Sequence, residues 1–127
     1  MDNFIDFEVT EQWLKEHPDH IFVFGDNLLR IGNGGAAKLR HLPNTYGFIT
    51  KKAPSYRDED FYKPKEFEEV FLNELIKLQM LISLTPDKTY LISKIGAGLA
   101  NRYTIWEEVI EPNIKKQLSF KNAEFLW

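Results

Sequence analysis

Ile21-Phe22-Val23-Phe24-Gly25 is a continuous apolar run closed by a glycine. Its residues are β-branched or aromatic, and no polar residue alternates with them. A strand with one wet face would alternate; this one reads as a strand buried on both faces, ended by Gly25. A loop with several glycines follows it, Gly25 to Lys38, and then a short helix from about Gly35 to Arg40. The order is strand, glycine loop, helix.

The same order returns along the chain. Pro43-Asn44 makes a turn, and Tyr46 to Thr50 reads as a second strand. Lys51 to Lys63 is polar and charged, with a proline, and reads as a surface loop. Pro64 suits the first position of a long helix, because its missing N–H would be unpaired there in any case. Phe67, Phe71, Leu75, Leu78 and Ile82 recur at spacings of three and four, which places them on one helical face. Pro86-Asp87 closes that helix, and Tyr90 to Ser93 reads as a strand. A second glycine loop follows, then a helix containing Trp106, Val109 and Ile110. Thr104 and Glu107 have the spacing of a capping box at its start. Ala123 to Trp127 reads as a last strand. Upstream, Thr10 caps a helix over Glu11 to His17, anchored by Trp13 and Leu14, and Phe4 to Val9 reads as a short first strand. Strands alternating with helices predict a layered α/β architecture in a single domain, residues 1–127. In such sheets ligands bind beyond the carboxyl ends of the strands, where both glycine loops fall.

Composition narrows the chemistry. The chain has 127 residues, 43% hydrophobic and 28% charged, which is a globular profile with enough length to bury a core. It contains no cysteine, which removes disulfides, zinc–thiolate sites and thiol nucleophiles, and points to the cytoplasm. The N-terminal residues lack a basic stretch followed by an apolar one, so no secretory signal is expected. No apolar run is long enough to span a bilayer. A net charge of −3 argues against a dedicated duplex-DNA binder, whose affinity comes largely from neutralising phosphates. It leaves room for a small anion held by backbone amides. His17, His20 and His41 lack metal-ligand spacing, and neither a metal nor a cofactor is expected. No serine sits in a nucleophile elbow.

In the first loop, Gly32, Gly34, Gly35 and Ala36 let the backbone approach a ligand closely. The Walker ending and the dinucleotide fingerprint are both absent, so the loop fits either a phosphate cradle or a glycine turn that only joins strand to helix. The second loop, Lys94 to Tyr103, offers Gly96, Ala97, Gly98 and Leu99 as a backbone wrap, with Asn101 and Arg102 as side-chain contacts; it too fits a plain turn. Asp26 and Asn27, at the junction of strand and loop, suit ribose hydroxyls or local turn capping, and Asp26 also suits a general base. Lys51 suits a phosphate or a developing negative charge, or is an ordinary solvated lysine.

With these residues the chain resembles a macrodomain, the ADP-ribose-binding α/β/α fold. The resemblance lies in Phe24-Gly25-Asp26-Asn27-Leu28 followed by Gly34-Gly35-Ala36-Ala37, and runs from about Ile21 to Val109. Ile49-Thr50-Lys51-Lys52 and Ile95-Gly96-Ala97-Gly98-Leu99, with Trp106 and Val109, are similar to the branch that removes terminal ADP-ribose from acidic side chains. The resemblance implies a three-layer α/β/α macro-like domain with a mixed central sheet. It implies that Asn27 faces the distal ribose, that Gly34 and Gly35 line the ribose and diphosphate, and that residues 96–99 form the second phosphate loop. Lys51 matches that branch's nucleophile; Ala100 stands where the branch has an acidic residue. The implied partner is an ADP-ribose-like nucleotide or an ADP-ribosylated macromolecule, with no membrane. Three functions remain open: hydrolysis of ADP-ribosyl linkages, capture of an ADP-ribose-derived signal without turnover, and a protein-interaction domain whose glycine loops are structural.

Overall fold

A computed structural model describes residues 8–127. Helix α1 (Glu11–Glu16) leads into strand β1 (His20–Asn27), and a 3-10 turn (Gly35–Leu39) precedes β2 (Thr45–Lys51). The long helix α2 (Pro64–Leu84) crosses to β3 (Thr89–Ile92). A π turn (Trp106–Ile110) and the short α3 (Ile114–Gln117) lead to β4 (Ala123–Phe125). The expected first strand falls largely on residues 4–7, outside the described residues; Glu8 and Val9 form no strand.

The described strands form one sheet in the order β2-β1-β3-β4, and every pair is parallel. The resemblance implies a mixed sheet; among the described residues all four strands run parallel. Each of β1, β2 and β3 is followed by a crossover long enough to carry the chain back to the starting end of the sheet, so the next strand enters in the same direction. Hydrophobic pattern records burial and not direction, and so cannot show this.

Burial of β1 on both faces follows from its alternation. Val23 packs with Phe67, Phe71, Leu75, Leu78 and Ile82, the apolar stripe of α2. Phe22 and Phe24 pack on the other side with Leu14 of α1 and with Ala37, Leu39 and Leu42. Each such side chain gains about 1.5–3 kcal/mol from burial, so the stripe of α2 largely determines how that helix docks. Pro64 opens α2, and the Glu66 side chain accepts from the Lys63 N–H at 3.0 Å. Glu74, buried on the same helix, accepts from the Ile49 N–H at 2.7 Å and so satisfies an edge position of β2, the outer strand. Asn44 ties α1 to the start of β1, donating to the carbonyls of Leu14, His17 and His20 at 2.9–3.2 Å.

The Thr104–Glu107 capping box does not form. Thr104 has φ 61°, and its hydroxyl donates to the Tyr103 carbonyl. Asn101 takes the capping role instead: its Oδ1 accepts from the Trp106 N–H at 2.9 Å, and its Nδ2 donates to Glu107 at 2.8 and 3.1 Å. The helix therefore starts beyond Thr104 and opens as a π turn, with Glu111 N–H donating to the Trp106 carbonyl at 2.8 Å.

Candidate functional site

β1 lies between β2 and β3, so the chain leaves β1 toward one edge of the sheet and leaves β3 toward the other. The loops after β1 and β3 diverge, and a crevice opens between them, as it does in doubly wound sheets. A cleft of ≈ 320 Å³ occupies this position. Gly32, Gly34, Gly35 and Ala36 line it from the first loop, and Gly96, Gly98 and Leu99 from the second. The Leu99 side chain lies close to Gly34 and Gly35, so the two loops meet across the cleft.

The floor of the first loop is held by charge. Asp26 is buried, and all its acceptor capacity is used. Its Oδ1 accepts from the Asn27 N–H at 2.8 Å and from Arg40 Nη2 at 2.7 Å. Its Oδ2 accepts from Arg40 Nη1 at 3.1 Å and from Arg30 Nη1 at 3.3 Å. Arg40 also donates to the carbonyls of Gly32 and Ile31 at 2.9 and 3.2 Å, and thereby clamps the loop to Asp26. A carboxylate held bidentate by one guanidinium and touched by a second is a poor general base. Asn27 is similarly occupied: its Oδ1 accepts from the Leu29 N–H at 3.0 Å and its Nδ2 donates to the Ile31 carbonyl at 2.8 Å. Both residues line the cleft while shaping the loop beside it. The bulge between Asp26 and Asn27, where register with β2 shifts, sits at this junction.

What the loops present is backbone. The amides of Gly34, Gly35, Gly98 and Leu99 make no hydrogen bond to other described residues. Asp26 is the only acidic residue among the described residues lining the cleft, and Arg30 and Arg40 neutralise it. Lys51 and Lys94 line the same cleft, and no carboxylate pairs with either among the described residues. The cleft is therefore suited to an anion.

Lys51 ends β2 and is buried. Its Nζ donates to the Ser55 carbonyl at 2.8 Å and lies 4.7 Å from the Tyr56 ring centroid and 4.5 Å from that of Phe61. Burial pushes its pKa below the ordinary lysine value; the Asp60 carboxylate opposes this shift and Arg102 adds to it.

Ten of the thirteen site residues expected from sequence line the cleft: Asp26, Asn27, Gly32, Gly34, Gly35, Ala36, Lys51, Gly96, Gly98 and Leu99. Ala97 packs toward the core instead. Asn101 is spent on capping the π turn. Arg102 lies over the Phe61 ring at 4.0 Å, outside the cleft lining. Ala100, where the resembling branch has an acid, is buried in the core and also lines the cleft, so no carboxylate stands at that position. Sequence reasoning missed Thr50, Pro54, Tyr56, Ser93 and Lys94. Ser93 and Lys94 sit at the end of β3, the position that already marked the adjoining glycines. Pro54 and Tyr56 belong to a stretch whose polarity reads as plain surface, and nothing local in it signals a cleft wall.

Among the described residues no helix is long and apolar enough to cross a membrane. The model of a family described as a family of unknown function (DUF7831) matches residues 4–101, a span that contains the first glycine loop, Lys51 and the glycines of the second loop. No curated protein and no solved structure matches the chain significantly.

Proposed function

We propose, for a chain that belongs to the DUF7831 family of unknown function, that the cleft binds ADP-ribose or a related phosphate-bearing nucleotide. The observation that carries this reading is the convergence of two glycine loops, from the ends of two adjacent parallel strands, on one cleft. Amides without internal partners supply donors, and Lys94, which has no carboxylate partner among the described residues, supplies positive charge. On this reading the diphosphate lies between residues 34–36 and 96–99, and Lys51 lines the same cleft. In this reading the domain is macro-like, with its layers on both faces of a parallel sheet.

Lys51 gives the cleft a route to hydrolysis of ADP-ribosyl linkages. A lysine attacks the anomeric carbon of the distal ribose only as a neutral amine, and burial moves Lys51 in that direction. The amine forms a C–N bond to the ribose as the modified side chain leaves as its carboxylate and the amine's proton passes to solvent; water then cleaves that C–N bond, releasing ADP-ribose and returning the free amine. One observation favours capture without turnover: no unpaired carboxylate lines the cleft among the described residues, since Asp26 is clamped and position 100 is alanine.

Calorimetric titration with ADP-ribose, then incubation with an ADP-ribosylated protein, tests both readings. Lys51→Arg keeps the charge and removes the amine nucleophile. With hydrolysis, this variant binds ADP-ribose and loses turnover. With capture, wild type and variant both bind and neither releases ADP-ribose. A wild type that fails to bind refutes the proposal.

A further inference from the structure

Residues 52–60 leave β2 and return at Phe61 as a closed loop. Lys51 and Phe61 pair in antiparallel fashion, and Lys52 N–H donates to the Asp60 carbonyl at 2.9 Å. Inside the loop, Ser55 Oγ donates to the Asp60 carboxylate, and Arg57 Nε reaches it at 3.3 Å. The loop touches both glycine loops. Pro54 lies so close to Gly32 that a Cβ built there would stand 3.0 Å from Pro54 Cβ. On the other side, Arg102 Nη2 donates to the Tyr56 carbonyl at 3.3 Å, Arg102 Nη1 lies 3.6 Å from Asp58, and the Tyr103 hydroxyl donates to Asp58. Phe61 is shared, because both Arg102 and Lys51 stand against its ring.

We propose that Arg102 is a positioning residue for Lys51: by latching the 52–60 loop onto the second glycine loop, it holds the Ser55 carbonyl and the Tyr56 and Phe61 rings around the amine. The role of that amine in the cleft rests on the nucleotide reading above; the latch itself does not. Guanidinium geometry explains why this residue is an arginine. One planar fork contacts a carbonyl, a carboxylate and an aromatic face together, which an ammonium on a flexible stem does less well. Without Arg102, the loop keeps its internal hydrogen bonds and the Tyr103–Asp58 contact, but loses the guanidinium that ties the Tyr56 carbonyl and the Phe61 ring to the 94–103 side. Water then reaches Lys51, and the desolvation that favours its neutral form is relaxed. Asp60, within the loop, and Arg102 itself are the charged groups acting on the amine.

The test needs no nucleotide, so its failure is distinct from failure of the nucleotide reading. Lys51 is acylated with a water-soluble amine-reactive ester across a pH series and quantified by peptide mass spectrometry, in wild type, Arg102→Gln, Arg102→Lys and Asp58→Asn. Thermal unfolding confirms that each variant is folded, as expected for changes at exposed side chains. In wild type the midpoint of Lys51 labelling lies below the ordinary lysine value. Arg102→Gln moves it upward toward that value, and Arg102→Lys, which keeps the charge and loses the fork, also moves it upward. Asp58→Asn separates the latch from simple electrostatics. Removing a negative charge by itself would move the midpoint down, whereas loosening the loop moves it up, and the latch predicts up. An unchanged midpoint in Arg102→Gln, a downward shift in Asp58→Asn, or a wild-type Lys51 that labels with the midpoint of an ordinary lysine overturns the proposal.

Discussion

Replacing Gly98 with glutamate separates ligand binding from folding. Gly98 does not occupy the left-handed region, and a Cβ added there meets no heavy atom within 4 Å. The substitution therefore brings neither backbone strain nor a clash, and restricting the unfolded chain gives at most a gain of about 0.4–1 kcal/mol. The new side chain enters the cleft between the amides proposed to hold phosphate. A carboxylate about 4 Å from a phosphate charge, at the effective dielectric of a protein surface, costs roughly 4 kcal/mol. Screening reduces this, so the expected loss of ADP-ribose affinity is about one hundred- to one thousandfold. Gly96→Ala is the contrast. Gly96 has φ 81°, and a Cβ there would collide with Ile110 Cδ1. Left-handed strain of about 1–2 kcal/mol and overpacking of about 1–3 kcal/mol predict a clear fall in melting temperature. Calorimetric titration and thermal unfolding of both variants supply the assay. Gly98→Glu with unchanged affinity, or with a melting temperature as low as that of Gly96→Ala, would refute the reasoning.

Other expectations follow from the charges around the cleft. Asp26→Asn leaves Arg40 without its bidentate partner and releases the first glycine loop; unfolding in urea should show a loss of about 3 kcal/mol, and a loss below about 0.5 kcal/mol would show that the clamp is dispensable. Asp58 and Asp60 are held below the ordinary carboxylate range, chiefly by hydrogen bonds from Tyr103 and Ser55 respectively. Because their folded pKa values lie below the unfolded ones, the stability they contribute is complete above about pH 4 and is lost as pH falls through the folded values. Urea unfolding from about pH 6 to pH 2 should therefore show a shallower acid-side decline in Asp58→Asn than in wild type, and parallel curves would contradict the assignment.

The elements that sequence patterning located correctly are those with a strong period or sharp punctuation. The apolar run at Ile21 to Phe24 and the stripe from Phe67 to Ile82 each specify burial directly, and both lie where expected. The glycine loops were legible because they follow strands, and in a parallel sheet that alone places them at one end. Strand direction was not legible, since a parallel and an antiparallel neighbour bury the same residues. Asp26 read as a ribose contact, a general base or a local turn cap; its partner Arg40 lies fourteen residues on, and nothing in the local sequence ties the two. Asn101 and Arg102 followed the second glycine loop closely enough to be read as ligand contacts. The chain turns away between them and the cleft, so one caps the π turn and the other latches the 52–60 loop. Pro54 and Tyr56 became cleft walls through tertiary packing of a polar loop, and that packing leaves no periodic trace.

Backbone amide shifts in a titration with ADP-ribose test the central claim most directly, because they report on the groups proposed to hold the ligand. With the chain isotopically labelled, the amides of Gly34, Gly35, Gly98 and Leu99 should move together and saturate with a single affinity, while those of α2 stay still. Saturable shifts confined to residues away from the two glycine loops, or no shifts at all at millimolar ADP-ribose, would contradict the account.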